Sequence, residues 1–118
     1  MKTIFYLKTC DTCKRIIKSL PNIEGFVLQD IKKEPITVAQ LEEMHRLAGS
    51  YEALFSRRAT LYKQRGLKDV TLTEADYKEL ILEHYTFLSR PVLVDNETIF
   101  VGNSKKVTEA TIAHLQDE

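Results

Sequence analysis

Residues 3–7, Thr-Ile-Phe-Tyr-Leu, are β-branched, aromatic or aliphatic almost throughout, the pattern of a buried strand. Ile16, Ile17 and Leu20 then recur at helical spacing until Pro21 and Asn22 stop the pattern. Gly25 to Ile31 predicts a second strand. Strand, helix and strand within about thirty residues make a βαβ unit, whose crossover leaves the two strands parallel neighbours.

The middle of the chain reads as helical. Thr37 with Gln40 forms a capping-box pattern, and Val38, Leu41, Met44 and Leu47 share one face before Gly49. A short helix is expected from Tyr51 to Phe55, followed by Ser56-Arg57-Arg58-Ala59-Thr60, a polar segment without clear periodicity. Thr73 with Asp76 is a second capping box, with Leu72 placed to staple onto Tyr77, and that helix is expected to continue through Leu80, Ile81, His84 and Tyr85. Pro91-Val92-Leu93-Val94 and Thr98-Ile99-Phe100-Val101, joined by Asp95-Asn96-Glu97, read as an antiparallel hairpin. Ser104 can cap a final helix carrying Val107, Ala110 or Thr111, and Leu115. The order βαβ, helical insert at about 35–88, ββα predicts an α/β fold: one domain over 1–118 with a small mixed sheet of thioredoxin-like type.

Composition narrows the class. At 118 residues the chain suits one domain, and 43% hydrophobic with 29% charged residues is an ordinary globular balance. Seventeen basic residues meet seventeen acidic ones. This excludes the basic footprint of a dedicated nucleic-acid binder, so no direct DNA or RNA contact is expected, although a local basic patch stays open. No apolar run is long enough to span a bilayer, and Met1 to Cys10 lacks a secretory core, so no membrane association and a cytoplasmic location are expected.

The two cysteines fall in one tetrapeptide, Cys10-Asp11-Thr12-Cys13, where the first strand feeds the first helix. A bridge there closes a tiny loop and constrains little of the unfolded chain, which favours chemistry over stapling. A helix start offers unpaired amides and the positive end of the backbone dipole, which stabilise a thiolate. Cys10 is thus the expected attacking sulfur and Cys13, one turn in, the resolving one. Lys8, Lys14 and Arg15 add positive charge, Asp11 partly cancels it, and the same amides can cradle an oxyanion. Half a zinc site is the metal alternative, but a structural zinc needs four ligands. His45, His84 and His114 fall on predicted helices without paired spacing, so no metal is expected. Two inert buried cysteines are the bland alternative. Arg57, Arg58 and Arg90 read first as surface charge; Arg90 precedes Pro91 at a strand start, where an X-Pro bond is a candidate cis bond.

Cys10-Asp11-Thr12-Cys13-Lys14, Leu54-Phe55-Ser56-Arg57-Arg58, Leu88-Ser89-Arg90-Pro91-Val92-Leu93-Val94-Asp95 and Val101-Gly102 together resemble the arsenate reductase family over essentially the whole chain. That family has a helical insert in a thioredoxin fold and includes Spx-type redox regulators of RNA polymerase and small thiol reductases. The resemblance implies a nucleophilic Cys10 with Thr12 in its anion-binding loop, Arg90 as oxyanion-binding arginine before a cis Pro91, and Arg58 as the arginine of the insert. In the arsenate-reducing branch the insert arginine stands where this chain has Ser56, a hairpin arginine stands at Gly102, and serine replaces Cys13.

Two functions follow. In the first, a thiol-dependent reductase, Cys10 attacks an oxyanion or a disulfide, and Cys13 or glutathione resolves the adduct. Asp11, Thr12, Lys14, Arg58 and Pro91 would line the substrate, with Arg90 beside the nucleophile. Its electron donor would be a small thiol, glutaredoxin or thioredoxin, with no tightly bound cofactor and glutathione at most a co-substrate. In the second, an Spx-type regulator binds RNA polymerase through the insert near Gly49 and Ser50, switched by Cys10 and Cys13.

Overall fold

Thr3, Ile4 and Phe5 are all buried, as befits a strand covered on both faces. In the computed structural model, which describes residues 1–117, β1 (Lys2–Tyr6) lies between β2 (Val27–Asp30) and β3 (Val92–Asp95), and β4 (Thr98–Val101) closes the order β2-β1-β3-β4. Ile4 stands opposite Leu28 in the parallel β1–β2 ladder and opposite Leu93 in the antiparallel β1–β3 ladder, and β3 pairs antiparallel with β4. This is the expected thioredoxin-like mixed sheet. The described chain divides into two compact units, one from Met1 to Glu34 together with the chain from Arg90 onward, the other Pro35–Ser89.

The first unit adds α1 (Asp11–Ser19) and α5 (Lys105–Gln116) to the sheet. Its core joins Ile4, Ile16, Leu20, Phe26, Leu93 and Leu115, with Phe100 and Ile112 packed against them. Asn96 takes the left-handed conformation, φ 54°, that a two-residue hairpin turn requires, and Ser104 caps α5 by accepting the Val107 N–H. The first turn of β2 residues differs from expectation. The Phe26 N–H donates to the Ile23 carbonyl in a turn, so the strand begins at Val27 rather than Gly25.

The second unit carries α2 (Val38–Ala48), α3 (Thr60–Gln64) and α4 (Glu74–Glu83), with 3-10 turns at Glu52–Leu54, Leu67–Asp69 and Tyr85–Phe87. Both capping boxes form, and Gly49, at φ 94°, ends α2 in the left-handed region. Leu41 and Met44 are buried, whereas Val38 at the first position of α2 is exposed. The helix expected to reach Tyr85 stops at Glu83. His84 turns extended, and its ring Nδ1 accepts the Thr86 N–H, which starts a 3-10 turn instead. α3 and the turn after it occupy a stretch that shows no periodicity, because elements of five and three residues are too short to display one. Among the described residues no helix is long and apolar enough to cross a membrane.

The Asp76 N–H donates to the Thr73 Oγ1 at 3.2 Å while the Thr73 N–H donates to the Asp76 carboxylate at 2.8 Å. Thr73→Ala removes the hydroxyl half of this box and is expected to cost about 1 kcal/mol, with Thr73→Ser restoring most of it. Urea denaturation measures the difference, and an unchanged midpoint in the alanine variant would remove the cap from the account of α4.

Candidate active site

The turn from β1 into α1 is closed by the Cys10 N–H, which donates to the Leu7 carbonyl at 2.9 Å. Cys10 is the N-cap of α1 in an extended conformation, φ −93°, ψ 112°, and its carbonyl accepts the Lys14 N–H at 3.1 Å. The amides of residues 11–13 therefore precede the first intrahelical bond and point out of the helix end. Cys10 is half-buried and Cys13 wholly buried; both are free thiols, 3.6 Å apart.

The two thiols are pulled in opposite directions. Burial pushes Cys10 up, but the Cys13 N–H, the Cys13 thiol, the Arg90 charge and the Thr12 N–H together hold it below the ordinary value of 9.0. The Cys10 side chain makes no capping hydrogen bond, yet the Cys13 and Thr12 N–H groups favour its ionised form. Cys13 is pushed up to about 11, first by burial and then by the Cys10 sulfur and its charge, against the Leu7 N–H and Arg90. The arrangement yields one sulfur that ionises readily and one that keeps its proton and donates it to the first.

Arg90 and Pro91 form a cis peptide bond at the entry to β3, and the Pro91 carbonyl accepts the Gly102 N–H at 2.9 Å. Because Val92 pairs with Phe5, this bond sits at the end of the sheet from which the cysteine segment leaves. Cys10, Asp11, Thr12, Cys13, Lys14, Arg90 and Pro91 all belong to the first unit. Asp11 and Lys14 are exposed, Thr12 and Arg90 half-buried, and Pro91 buried. The positive charge acting on Cys10 is that of Arg90, while Lys8 and Lys14, which the sequence suggested for this role, are solvent-exposed. Arg58 belongs to the second unit, exposed on the turn ahead of α3. Its neighbour Arg57 is committed locally, donating to Glu52 at 2.6 Å and to the Tyr77 hydroxyl at 3.0 Å. The Leu7 amide acting on Cys13 had no signal in the sequence, since any residue type supplies a main-chain N–H.

The pH profile of alkylation reads this asymmetry directly. The thiolate is the reactive form, so the Cys10 rate should rise with pH and level off with an inflection below 9.0, while Cys13 stays silent until near pH 11. Arg90→Ala should move the Cys10 inflection upward. Equal labelling of both cysteines by limiting iodoacetamide at neutral pH would contradict the assignment.

A model of the ArsC family matches residues 5–111. The global transcriptional regulator Spx of Bacillus subtilis (strain 168) is 24% identical over 104 residues, covering 86% of this chain and 79% of its own. An arsenate reductase (ArsC) related protein from Brucella melitensis is similar in structure, with a TM-score of 0.69 and 26% identity over 92% of each chain. The arsenate reductase of Vibrio cholerae superposes with a TM-score of 0.72 at 19% identity, over 97% of this chain and 96% of its own, a likeness of fold.

Proposed function

The chain belongs to the ArsC family, and on that premise we propose that it is a thiol-dependent reductase in which Cys10 attacks and Cys13 resolves. The observation that carries this reading is the pairing, 3.6 Å apart at the start of α1, of a thiol held below its ordinary pKa with one pushed up to about 11. With a disulfide substrate, the Cys10 thiolate forms a mixed disulfide and expels one thiolate. The Cys13 thiolate then attacks the Cys10 sulfur, expels the second, and leaves a Cys10–Cys13 disulfide. An external thiol (glutathione, glutaredoxin or thioredoxin) supplies the two electrons that restore both cysteines.

The chemistry of the first step prepares the second. Once Cys10 is bonded to substrate it no longer carries charge or accepts the Cys13 proton, so two of the influences that raise Cys13 vanish. The Leu7 N–H and Arg90 then favour its ionisation at the moment it must attack. An anionic substrate would lie against the amides of residues 11–13, with Thr12 and Arg90 at the reacting sulfur and cis Pro91 beside it.

Turnover of a model disulfide and of arsenate, each with glutathione, glutaredoxin or thioredoxin as donor, tests the reading. Disulfide turnover that needs Cys10 supports it, and no turnover of either substrate with any donor removes it. Sulfate should protect Cys10 from alkylation, and Arg90→Ala should weaken that protection roughly tenfold, the scale of one charge-assisted contact. Unchanged protection would reduce Arg90 to a surface charge. The Spx relative supports a second reading, a redox-switched regulator that binds RNA polymerase. Co-purification of RNA polymerase with the chain, lost on oxidation, would favour that reading over the enzyme.

A further inference from the structure

Charge in the second unit is segregated. Arg57, Arg58, Lys63, Arg65 and Lys68 fall within one stretch that holds no acidic residue until Asp69, in a chain whose net charge is zero. Two of the five are neutralised where they stand: Arg57 by Glu52 at 2.6 Å, and Arg65 by a two-pronged pairing with Glu83 at 2.8 Å on each prong. Lys63 and Lys68 are exposed and have no ion pair to any described residue. The chain turns between them through Gly66 in the left-handed conformation, φ 63°, so that α3 and the following 3-10 turn enclose a groove of about 410 Å³ lined by Arg57, Tyr62, Lys63, Gly66, Lys68 and Asp69. Tyr62 supplies an aromatic wall, half-buried with its ring 5.9 Å from that of Phe55.

We propose that this groove is a docking site for an acidic peptide segment of a partner protein, whose carboxylates meet Lys63 and Lys68 while an apolar side chain rests on Tyr62. Charge complementarity selects the occupant: two lysines without ion pairs flank one aromatic ring, and Asp69 is the one carboxylate among the described residues that line the groove. A nucleic-acid strand fits less well. Single strands are held by a continuous cationic track and successive stacking platforms, whereas here one ring stands alone and the rest of the unit carries Glu42, Glu43, Glu74, Asp76 and Glu79. At Gly66 nothing lies within 4 Å of where a Cβ would project, and its φ of 63° is the conformation that favours glycine at this turn.

The test uses the full chain and a fluorescein-labelled peptide of glutamate and aspartate residues around one phenylalanine, followed by fluorescence anisotropy. Binding is expected to weaken as salt is raised and to fall at least about tenfold in the Lys63→Glu/Lys68→Glu double variant, the loss of two charge contacts. Tyr62→Ala should weaken it separately. Both lysines are exposed, so the double variant is expected to keep its fold, which its circular dichroism spectrum checks. Undiminished binding to the charge-reversed variant, no binding to the wild type, or tighter binding of a single-stranded thymidine oligonucleotide each overturns the proposal.

Discussion

Cys10→Ser should lower turnover at least about a thousandfold, because a serine hydroxyl at this helix start stays protonated where the thiol ionises. Cys13→Ser is the more informative variant. Its serine can still donate a hydrogen bond to the Cys10 sulfur, so Cys10 keeps its reactivity, but no second sulfur waits 3.6 Å away. Mild peroxide should convert wild-type Cys10 to the sulfenic acid, which the Cys13 thiol condenses to a disulfide with loss of water. Dithiothreitol should reverse this bridge. In Cys13→Ser the same treatment should leave a sulfenic acid, a glutathione adduct or a Cys10-linked dimer, each readable by intact-mass spectrometry. Turnover that survives in Cys13→Ser with glutathione present assigns resolution to the external thiol. Turnover lost in that variant assigns it to the internal bridge. Oxidised wild type with both thiols free would end the account of Cys13 as resolving sulfur.

The sequence made the sheet readable because its strands obey simple rules. Thr3 to Leu7 is β-branched, aromatic or aliphatic since both faces of β1 are buried at Thr3, Ile4 and Phe5, and Pro91 and the Asp95-Asn96-Glu97 turn bracket β3 and start β4. Capping residues marked α2, α4 and α5 for the same reason, as the hydroxyls of Thr37, Thr73 and Ser104 bond amides three residues on. What escaped was short or decided by one side chain. The α3 helix spans a single turn and a half, and α4 ends because the His84 ring captures the Thr86 amide, an event no periodicity announces.

The site divides along the same line. Cys-x-x-Cys after a strand was enough to place Cys10 and Cys13 at the start of α1. Which charge reaches Cys10 was not legible from local spacing, which pointed to the exposed Lys8 and Lys14; the family resemblance was what put Arg90 beside the nucleophile, since it arrives from eighty residues away through the β1–β3 ladder. Of the adjacent Arg57 and Arg58, the structure commits the first to Glu52 and Tyr77. That distinction rests on partners five and twenty positions away and is not announced by the pattern of the two adjacent arginines.

Phe87→Ala should be among the most damaging core truncations, costing about 3–5 kcal/mol. The ring is wholly buried, stacked on Phe55 with centroids 5.5 Å apart and planes 10° from parallel, and the Arg65 guanidinium lies 5.5 Å from its centroid. Arg65 is paired with Glu83 at the surface, and the main-chain bond from the Ser56 N–H to the Phe87 carbonyl holds the backbone in place around the ring. A cavity that cannot collapse is the costly kind. Phe87→Leu refills most of the volume and should cost less than half as much, since the lost ring contact with Phe55 is worth only about 1 kcal/mol beyond burial. Natural domains hold roughly 5–15 kcal/mol in all, so urea denaturation should show the alanine variant close to its unfolding limit at room temperature. In a cycle with Phe55→Ala the two losses should add to more than the double variant suffers, because either truncation alone already breaks the stack. Strict additivity, or an alanine variant within about 1 kcal/mol of wild type, would mean that the second unit relaxes around the gap and that Phe87 is not one of its anchors.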